Sequence, residues 1–301
     1  MASSTATQNL YDNDPAFYAK YAELHELVPE TQQAGVPDMS TLHELLPSLS
    51  GKRVLDLGCG DGWFSRWASA RGAASVKGVD VSQAQLGKAR ELTDMHRSYL
   101  RESRGSEGAA VEFVRADLNV KGALAAALKE TEKDGEDTEG MVGKKGGEKF
   151  QVAFSSLSMH YIADLKTLLD EVSECLAPGA FLFFSIEHPM ATAPKAKVPQ
   201  LLATADGEKQ PAWPLRDYAA EGERVKTWLA ADVRKQHRTV SSYLNAVTGS
   251  GFDVVKTWEW GMKEDGAGRE GDKVNQLLRE RNYGVTESVF PYFMGFKVWK
   301  R

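Results

Sequence analysis

Apolar runs of strand length alternate along this chain with stretches whose apolar residues recur every three or four positions. The runs are "RVLDLG" from Arg53, "SVKGVDV" from Ser75, "VEFVRADL" from Val111, "FQVAFSSLS" from Phe150 and "FLFFSIEH" from Phe181. Between them lie "DGWFSRWASARG", "SQAQLGKARELTDMHRSYL" and "DLKTLLDEVSECLAPGA". In the last of these Leu165, Leu168, Leu169, Val172 and Leu176 follow a 3.6-residue period, which predicts a helix stopping at the breaker pair Pro178-Gly179. Strands alternating with helices imply βαβ units and a parallel, doubly wound α/β sheet with helices on both faces. The near-continuous apolar strands agree, since both of their faces must be buried. Further on, "TVSSYLNAVTGSGF" reads as a helix closed by glycine, and "FDVVKTWEW" and "PYFMGFKVWK" read as final strands, the last antiparallel. There is no internal repeat.

Three segments interrupt the rhythm. Residues 1–50 precede the first strand, carry Tyr11, Phe17, Tyr18 and Tyr21, and read as an N-terminal helical cap. Residues 121–149 begin as a helix and become a charged, glycine-rich tract with little to bury, expected to be a solvated, mobile excursion. Residues 188–235 carry prolines, aromatics and charges without strand rhythm, and are expected to form a lid or substrate wall inserted after the fifth strand. Residues 51–301 then make one α/β domain.

The bulk numbers narrow the function. A chain of 301 residues can bury one large core. A formal charge of −5 offers no basic excess for a nucleic-acid backbone, so nucleic acid is not the expected partner. Two cysteines and an N-terminus without an apolar signal core favour a reducing, cytoplasmic setting. "FLFFSI" is far too short to span a membrane.

The chemistry concentrates after the first strand, in "LDLGCGDGWFS". Glycines at Gly58, Gly60 and Gly62, with the small Cys59 between them, let the backbone turn sharply into a helix and approach a ligand. Ligands of open parallel sheets bind at the carboxyl ends of the strands. Asp80, twenty residues after Gly60 at the end of the second strand, is placed to accept from both hydroxyls of a ribose. A dinucleotide would also fit such a turn, but its pyrophosphate belongs on the positive helix N-terminus. Asp61 stands at that helix start and Asp56 just before the turn. Each carboxylate would repel a phosphate by roughly 1–4 kcal/mol at about 4 Å. S-adenosylmethionine carries a sulfonium and an ammonium instead of phosphates, and the spacing is GxGxG, not GxGxxG. The charges favour S-adenosylmethionine.

"VLDLGCGDGWFS" resembles motif I of the class I S-adenosylmethionine-dependent methyltransferases, and "GVDVS" resembles their second-strand acid. "RADL" resembles the third-strand motif, and residues 153–189 are similar to the fourth-strand, helix and fifth-strand block of the small-molecule, methyltransferase type 11 group. The resemblance implies a Rossmann-like fold and conversion of S-adenosylmethionine to S-adenosylhomocysteine. It implies that Asp56, Gly58, Gly60 and Gly62 surround the methionine half, and that Asp80 holds the ribose with Val81 beside the adenine. It further places Ala116, Asp117 and Leu118 at the adenine edge, Ser155 and Ser156 under the methionyl group, and Tyr11 and Tyr21 in a covering helix. Plainer roles stand beside these. Asp80 lies next to a helix start at Ser82, Asp56 can brace the glycine loop, and Asp117 can make a turn. Trp63, Phe64 and Trp67 read as helix packing.

His160 follows the fourth strand and His188 the fifth, so both are candidate bases at the ligand edge of the sheet. Glu187 is a further candidate base or amine anchor, and His237 a helix-capping histidine. The histidine spacing matches no chelating motif, so no metal is expected. The expected reaction is in-line transfer of a methyl group to an N, O, S or C nucleophile of a small molecule, which needs mainly proximity and alignment. Trp213, Tyr218, Trp228 and Tyr243 are candidates for an aromatic wall around the acceptor. Two rival readings stay open: methylation of a protein or RNA, and a non-catalytic S-adenosylmethionine-binding partner protein.

Overall fold

The computed structural model describes residues 8–27, 39–133, 149–195, 200–203, 207, 209–212, 216–261 and 291–301. Helices α1 (Leu10–Asn13), α2 (Pro15–Leu27) and α3 (Met39–Leu45) come first. The alternating part follows as β1 (Arg53–Leu57), α4 (Trp63–Ser69), β2 (Ser75–Asp80), α5 (Gln83–Arg104), β3 (Ala110–Arg115) and α6 (Ala123–Lys133). It continues with β4 (Phe150–Ser155), a 3-10 turn at Met159–Tyr161, α7 (Leu165–Cys175) and β5 (Leu176–Glu187). After these come α8 (Pro189–Thr192), β6 (Gln200–Ala203), β7 (Lys209–Ala212), β8 (Gly222–Trp228) and β9 (Ala231–His237). The chain closes with α9 (Val240–Gly249), β10 (Phe252–Trp260) and β11 (Phe293–Lys300).

Seven strands form one sheet in the order β3-β2-β1-β4-β5-β11-β10. Strands β1 to β5 pair in parallel, while β11 runs antiparallel to both β5 and β10. This is the doubly wound, Rossmann-like arrangement with an antiparallel last strand. The strand order reverses between β1 and β4, so the crevice of the fold opens beyond their carboxyl ends. Both sheet faces are covered. Leu55, Leu57, Val79 and Phe184 pack toward Leu124, Leu169, Tyr243 and Val247, whereas Val54, Val152, Phe154 and Phe183 pack toward Leu42, Leu45 and Phe64. Two-sided burial is why these strands read as unbroken apolar runs. Trp63, Phe64 and Trp67 belong to the second of these packed layers, as their periodicity predicts.

Two details differ from the sequence pattern. Helix α7 ends at Cys175, before the breaker pair, and Pro178-Gly179 lies inside the first part of β5. The residue before a proline avoids the helical region, so the chain leaves the helix early. Leu176, which matches the helical period, is buried from the strand instead. The second difference is in 188–235, which contains two antiparallel hairpins, β6–β7 and β8–β9. Inward positions of β8 and β9 include Arg224, Lys226, Lys235 and His237, so burial alternates while hydropathy does not. A charged inner face hides a strand from a hydrophobicity reading. Residues 134–148 of the expected excursion, and Trp213, lie outside the described residues.

Candidate active site

The first loop is shaped by Gly58 and Gly60. Gly58 has φ +67°, and a Cβ there would meet Ser158 Cβ at 2.4 Å and Oγ at 2.5 Å. Only glycine lets the β1 and β4 ends approach this closely. Gly60 has φ +54°, yet a Cβ there would meet nothing within 4 Å, so its backbone faces open space. The N–H groups of Gly58 and Cys59 donate to the Val79 carbonyl at 2.8 and 3.0 Å, tying the loop to β2. The Cys59 thiol packs among Leu86, Ala89 and Phe113, and burial pushes its pKa well up.

Three acids line this junction. Asp80 Oδ2 accepts from Gly60 N–H at 2.9 Å and Oδ1 from Ser82 N–H at 2.9 Å. Burial raises its pKa against the pull of these bonds. Asp56 is 2 % exposed inside β1, and its Oδ2 accepts from the Ser65 hydroxyl at 2.7 Å. Burial, with Asp80 and Asp61 close by, pushes it up to about 7. Asp61 accepts from Trp63 N–H at 3.1 Å and lies 3.9 Å from the buried Arg66 guanidinium. Asp56 thus braces α4 against β1, while Asp80 sits at the loop's open side. Asp117 Oδ1 accepts from Asn119 N–H at 2.9 Å, an Asx turn after β3, and Ala116 N–H donates to the Asp80 carbonyl.

At the β4 end, the buried Ser155 hydroxyl meets Ser158 Oγ at 2.6 Å, and Ser158 Oγ donates to the Leu57 carbonyl at 3.2 Å. Between Ser156 and Ser158, Leu157 adopts φ +51° and its N–H donates to the Ser185 carbonyl. A left-handed non-glycine residue costs on the order of 1 kcal/mol or more and is held only where its surroundings demand it.

Residues 8–27 dock on the start of α5 and on β9. The Asp12 carboxylate accepts from Ser82 Oγ at 2.7 Å and from Gln83 and Ala84 N–H at 2.9 Å, capping α5 from outside its own segment. Gln8 pairs with β9 through Asp232 O at 2.6 Å and Arg234 N–H at 2.7 Å. Tyr11, Phe17, Tyr21, Tyr161 and Trp228 form one aromatic cluster with Leu229 and Val233. Tyr11 and Tyr21 rings are 4.8 Å apart, and Phe17 lies 5.5 Å from Trp228. Burial raises both tyrosine phenols, with a smaller contribution from the Asp80 charge.

The histidines part ways. His188 is engaged at both ring nitrogens, Nδ1 accepting from Met190 N–H at 3.0 Å and Nε2 meeting Glu259 Oε1 at 2.8 Å. His237 is likewise satisfied by Thr192 Oγ1 and the Tyr218 carbonyl. His160 is 1 % exposed, its Nδ1 accepts from Glu187 N–H at 3.3 Å, and its Nε2 has no partner among the described residues. Burial lowers its pKa to about 3, so the ring is neutral and the acceptor role of Nδ1 puts the proton on Nε2. Beside it Lys235 pairs with Glu187 and stands 5.8 Å from the Tyr161 ring and 5.9 Å from that of Trp228. Tyr218 and Tyr243 bond or pack away from this cluster, near His237 and the sheet core. Asp12, Gln8, Ser158, Lys226 and Lys235 carry no motif signal. The lysines were detectable only as alternate positions of a strand whose hydropathy does not alternate.

Among the described residues no helix is long and apolar enough to cross a membrane, and no group of three metal-ligating side chains is present. Comparison with known proteins agrees with this fold. The profile of a methyltransferase domain matches residues 32–257. An uncharacterized protein of Haemophilus influenzae is 28 % identical over 251 residues, covering 83 % of this chain and 85 % of that one. A ubiquinone biosynthesis O-methyltransferase of Ralstonia nicotianae is 27 % identical over 190 residues, covering 60 % of this chain and 64 % of the relative's length. The crystal structure of an S-adenosylmethionine-dependent methyltransferase from Mesorhizobium loti superposes with a TM-score of 0.58 at 30 % identity, covering 87 % of this chain and 96 % of the other. The chain belongs to the methyltransferase-domain family, and it is an S-adenosylmethionine-dependent methyltransferase of Rossmann-like fold.

Proposed function

We propose that the chain methylates a small-molecule metabolite at an N, O, S or C nucleophile. The observation that carries this is a bridge. Residues 8–27 are bonded at Asp12 to the β2–α5 junction and at Gln8 to β9, so they bridge the cofactor side and the β8–β9 hairpin. On this reading the acceptor lies beside the aromatic cluster of Tyr11, Tyr21, Tyr161 and Trp228, beneath a bridge that suits a metabolite rather than a macromolecule. The N-terminal segment 1–50 then acts as the cap, through its described residues 8–27, and the β8–β9 part of 188–235 as the acceptor-side wall.

S-adenosylmethionine supplies an activated methyl group on a sulfonium. The residues fit it: Gly60 exposes backbone to open space, and Asp80 presents a carboxylate beside that space. Asp80 holds the ribose hydroxyls, and Val81, Ala116, Asp117 and Leu118 border the adenine. Gly58, Cys59, Gly60 and Gly62, with Ser155 and Ser156, border the methionyl half, and Asp56 acts there through its brace on α4. Tyr11 and Tyr21 close the site and exclude water. Alignment of the acceptor atom with the methyl carbon at about 3–3.5 Å is the main catalytic contribution.

His188 is committed to Met190 and Glu259, and we assign it no proton transfer. His160, with its proton on Nε2, donates to the acceptor rather than taking its proton. The free state of both cysteines suits a cytoplasmic enzyme. Release of S-adenosylhomocysteine is to be measured against separated metabolite, protein and RNA fractions. Turnover with the metabolite fraction is expected. Turnover with protein or RNA alone, or with none, overturns the proposal.

A further inference from the structure

The open half of the inner face of the β8–β9 hairpin is basic, while Trp228, Ala231 and Val233 make its turn end apolar. Along β8, Arg224 and Lys226 turn inward while Glu223, Val225 and Thr227 are outside or at the rim, and along β9 Lys235 and His237 are buried. Arg224 is spent on main-chain carbonyls, bonding Ala193 at 3.0 Å, Glu223 at 3.2 Å and Ala220. His237 is satisfied as described. Lys226 donates to the Pro194 carbonyl at 2.7 Å and Lys235 pairs with Glu187, whose charge also acts on Lys226 and His160. Arg238, whose charge also reaches His160, donates to the Ile162 and Ala163 carbonyls beside Asp164, which offsets it. Two ammonium groups therefore share one carboxylate, next to a neutral imidazole whose buried N–H has no partner. Among the described residues this leaves one positive charge in excess, on the buried Lys235 and the half-buried Lys226, beside an orphaned buried donor, and each is costly away from water.

We infer that the methyl acceptor carries a carboxylate, received between His160 Nε2–H and the Lys226–Lys235–Glu187 cluster. This deepens the small-molecule reading above and rests on it. One negative charge balances the cluster and its oxygen satisfies the imidazole donor. A doubly charged phosphate would overshoot the balance, and an amine would meet two like charges. A carboxylate held by cations and an N–H is a weakened nucleophile, so it serves as an anchor and the methylated atom lies elsewhere in the acceptor. Trp228 and Tyr161, against which Lys235 lies, supply an apolar wall for the rest of the molecule.

The test uses full-length protein saturated with S-adenosylhomocysteine and three probes that share a ring: benzoate, benzamide and benzylamine. Ligand-observed NMR titration is expected to give benzoate an advantage of about tenfold or more in Kd over the other two. Lys226→Met and His160→Phe should each remove most of that advantage, whereas His160→Gln, which keeps a donor near the Nε2 position, should retain it. The Kd for S-adenosylhomocysteine, read by calorimetry, should stay within about twofold in all three variants. Equal binding of the probes, no binding of benzoate, or an advantage that survives both Lys226→Met and His160→Phe overturns the inference while leaving cofactor binding intact. Failure of the wild-type protein to bind S-adenosylhomocysteine would instead bring down the reading on which it rests.

Discussion

The Asp80 carboxylate accepts the Gly60 N–H at 2.9 Å across the crevice between the β2 end and the glycine turn. On the proposed cofactor reading the same group both sets the loop's position and holds the ribose, so cofactor affinity and loop geometry are coupled. Asp80→Ala is expected to weaken S-adenosylhomocysteine binding by roughly 2–4 kcal/mol, the scale of one or two charge-assisted hydrogen bonds. Asp80→Asn should lose less, because its amide oxygen still accepts one backbone N–H. Calorimetry with circular dichroism as a fold control checks both. An unchanged Kd for Asp80→Ala would remove the ribose assignment.

Gly58 and Gly60 separate space from backbone conformation. Gly58→Ala combines a left-handed φ with a clash against Ser158 and should cost about 2–4 kcal/mol of stability. Ser158→Gly in the same chain should recover part of that loss by removing the struck atoms. Gly60→Ala meets no atom and should cost only about 1 kcal/mol, while its methyl group enters the ligand's space and weakens cofactor binding. Thermal melts and cofactor titration of the three variants distinguish the two glycines.

Asp56 makes the fold sensitive to pH. Burial lifts it to about 7 from the ordinary 3.8. Between these values the folded state binds more protons than the unfolded one, so Asp56's contribution is fully present below about pH 4 and is lost as pH rises through 7. Asp56→Asn imitates the protonated carboxyl and keeps an oxygen for the Ser65 hydroxyl. Its stability relative to the parent should therefore rise from pH 5 to pH 8, by at most about 3 kcal/mol, with the melting temperature following. A constant difference across that range would show that Asp56 titrates normally.

Asp12 ties the N-terminal segment to the fold by capping α5 through Ser82, Gln83 and Ala84. Asp12→Ala is expected to cost about 1–2 kcal/mol, the usual worth of a helix cap. If the N-terminal segment covers the cofactor as proposed, the variant should also quicken dissociation of S-adenosylhomocysteine, because Tyr11 and Tyr21 lose their tether. Stopped-flow displacement measures the off-rate. An off-rate unchanged in a destabilised Asp12→Ala protein would separate the cap from the cofactor site.

The sequence by itself determined the sheet, the glycine turn and the second-strand acid. These rest on local rules: two-sided burial writes unbroken apolar strands, and a tight turn needs glycines at Gly58, Gly60 and Gly62 whatever surrounds them. What only the tertiary structure decided is how distant segments meet. Asp12 looks like any acid in a polar stretch until α1 docks on the N-terminus of α5. His160 and His188 look equivalent at two strand ends until Glu259 and Met190 occupy one and leave the other with a buried, unshared N–H. The β8–β9 strands stayed hidden because the open half of their inner face is basic, and buried charge is stabilised by partners far away in the chain rather than by a pattern within it.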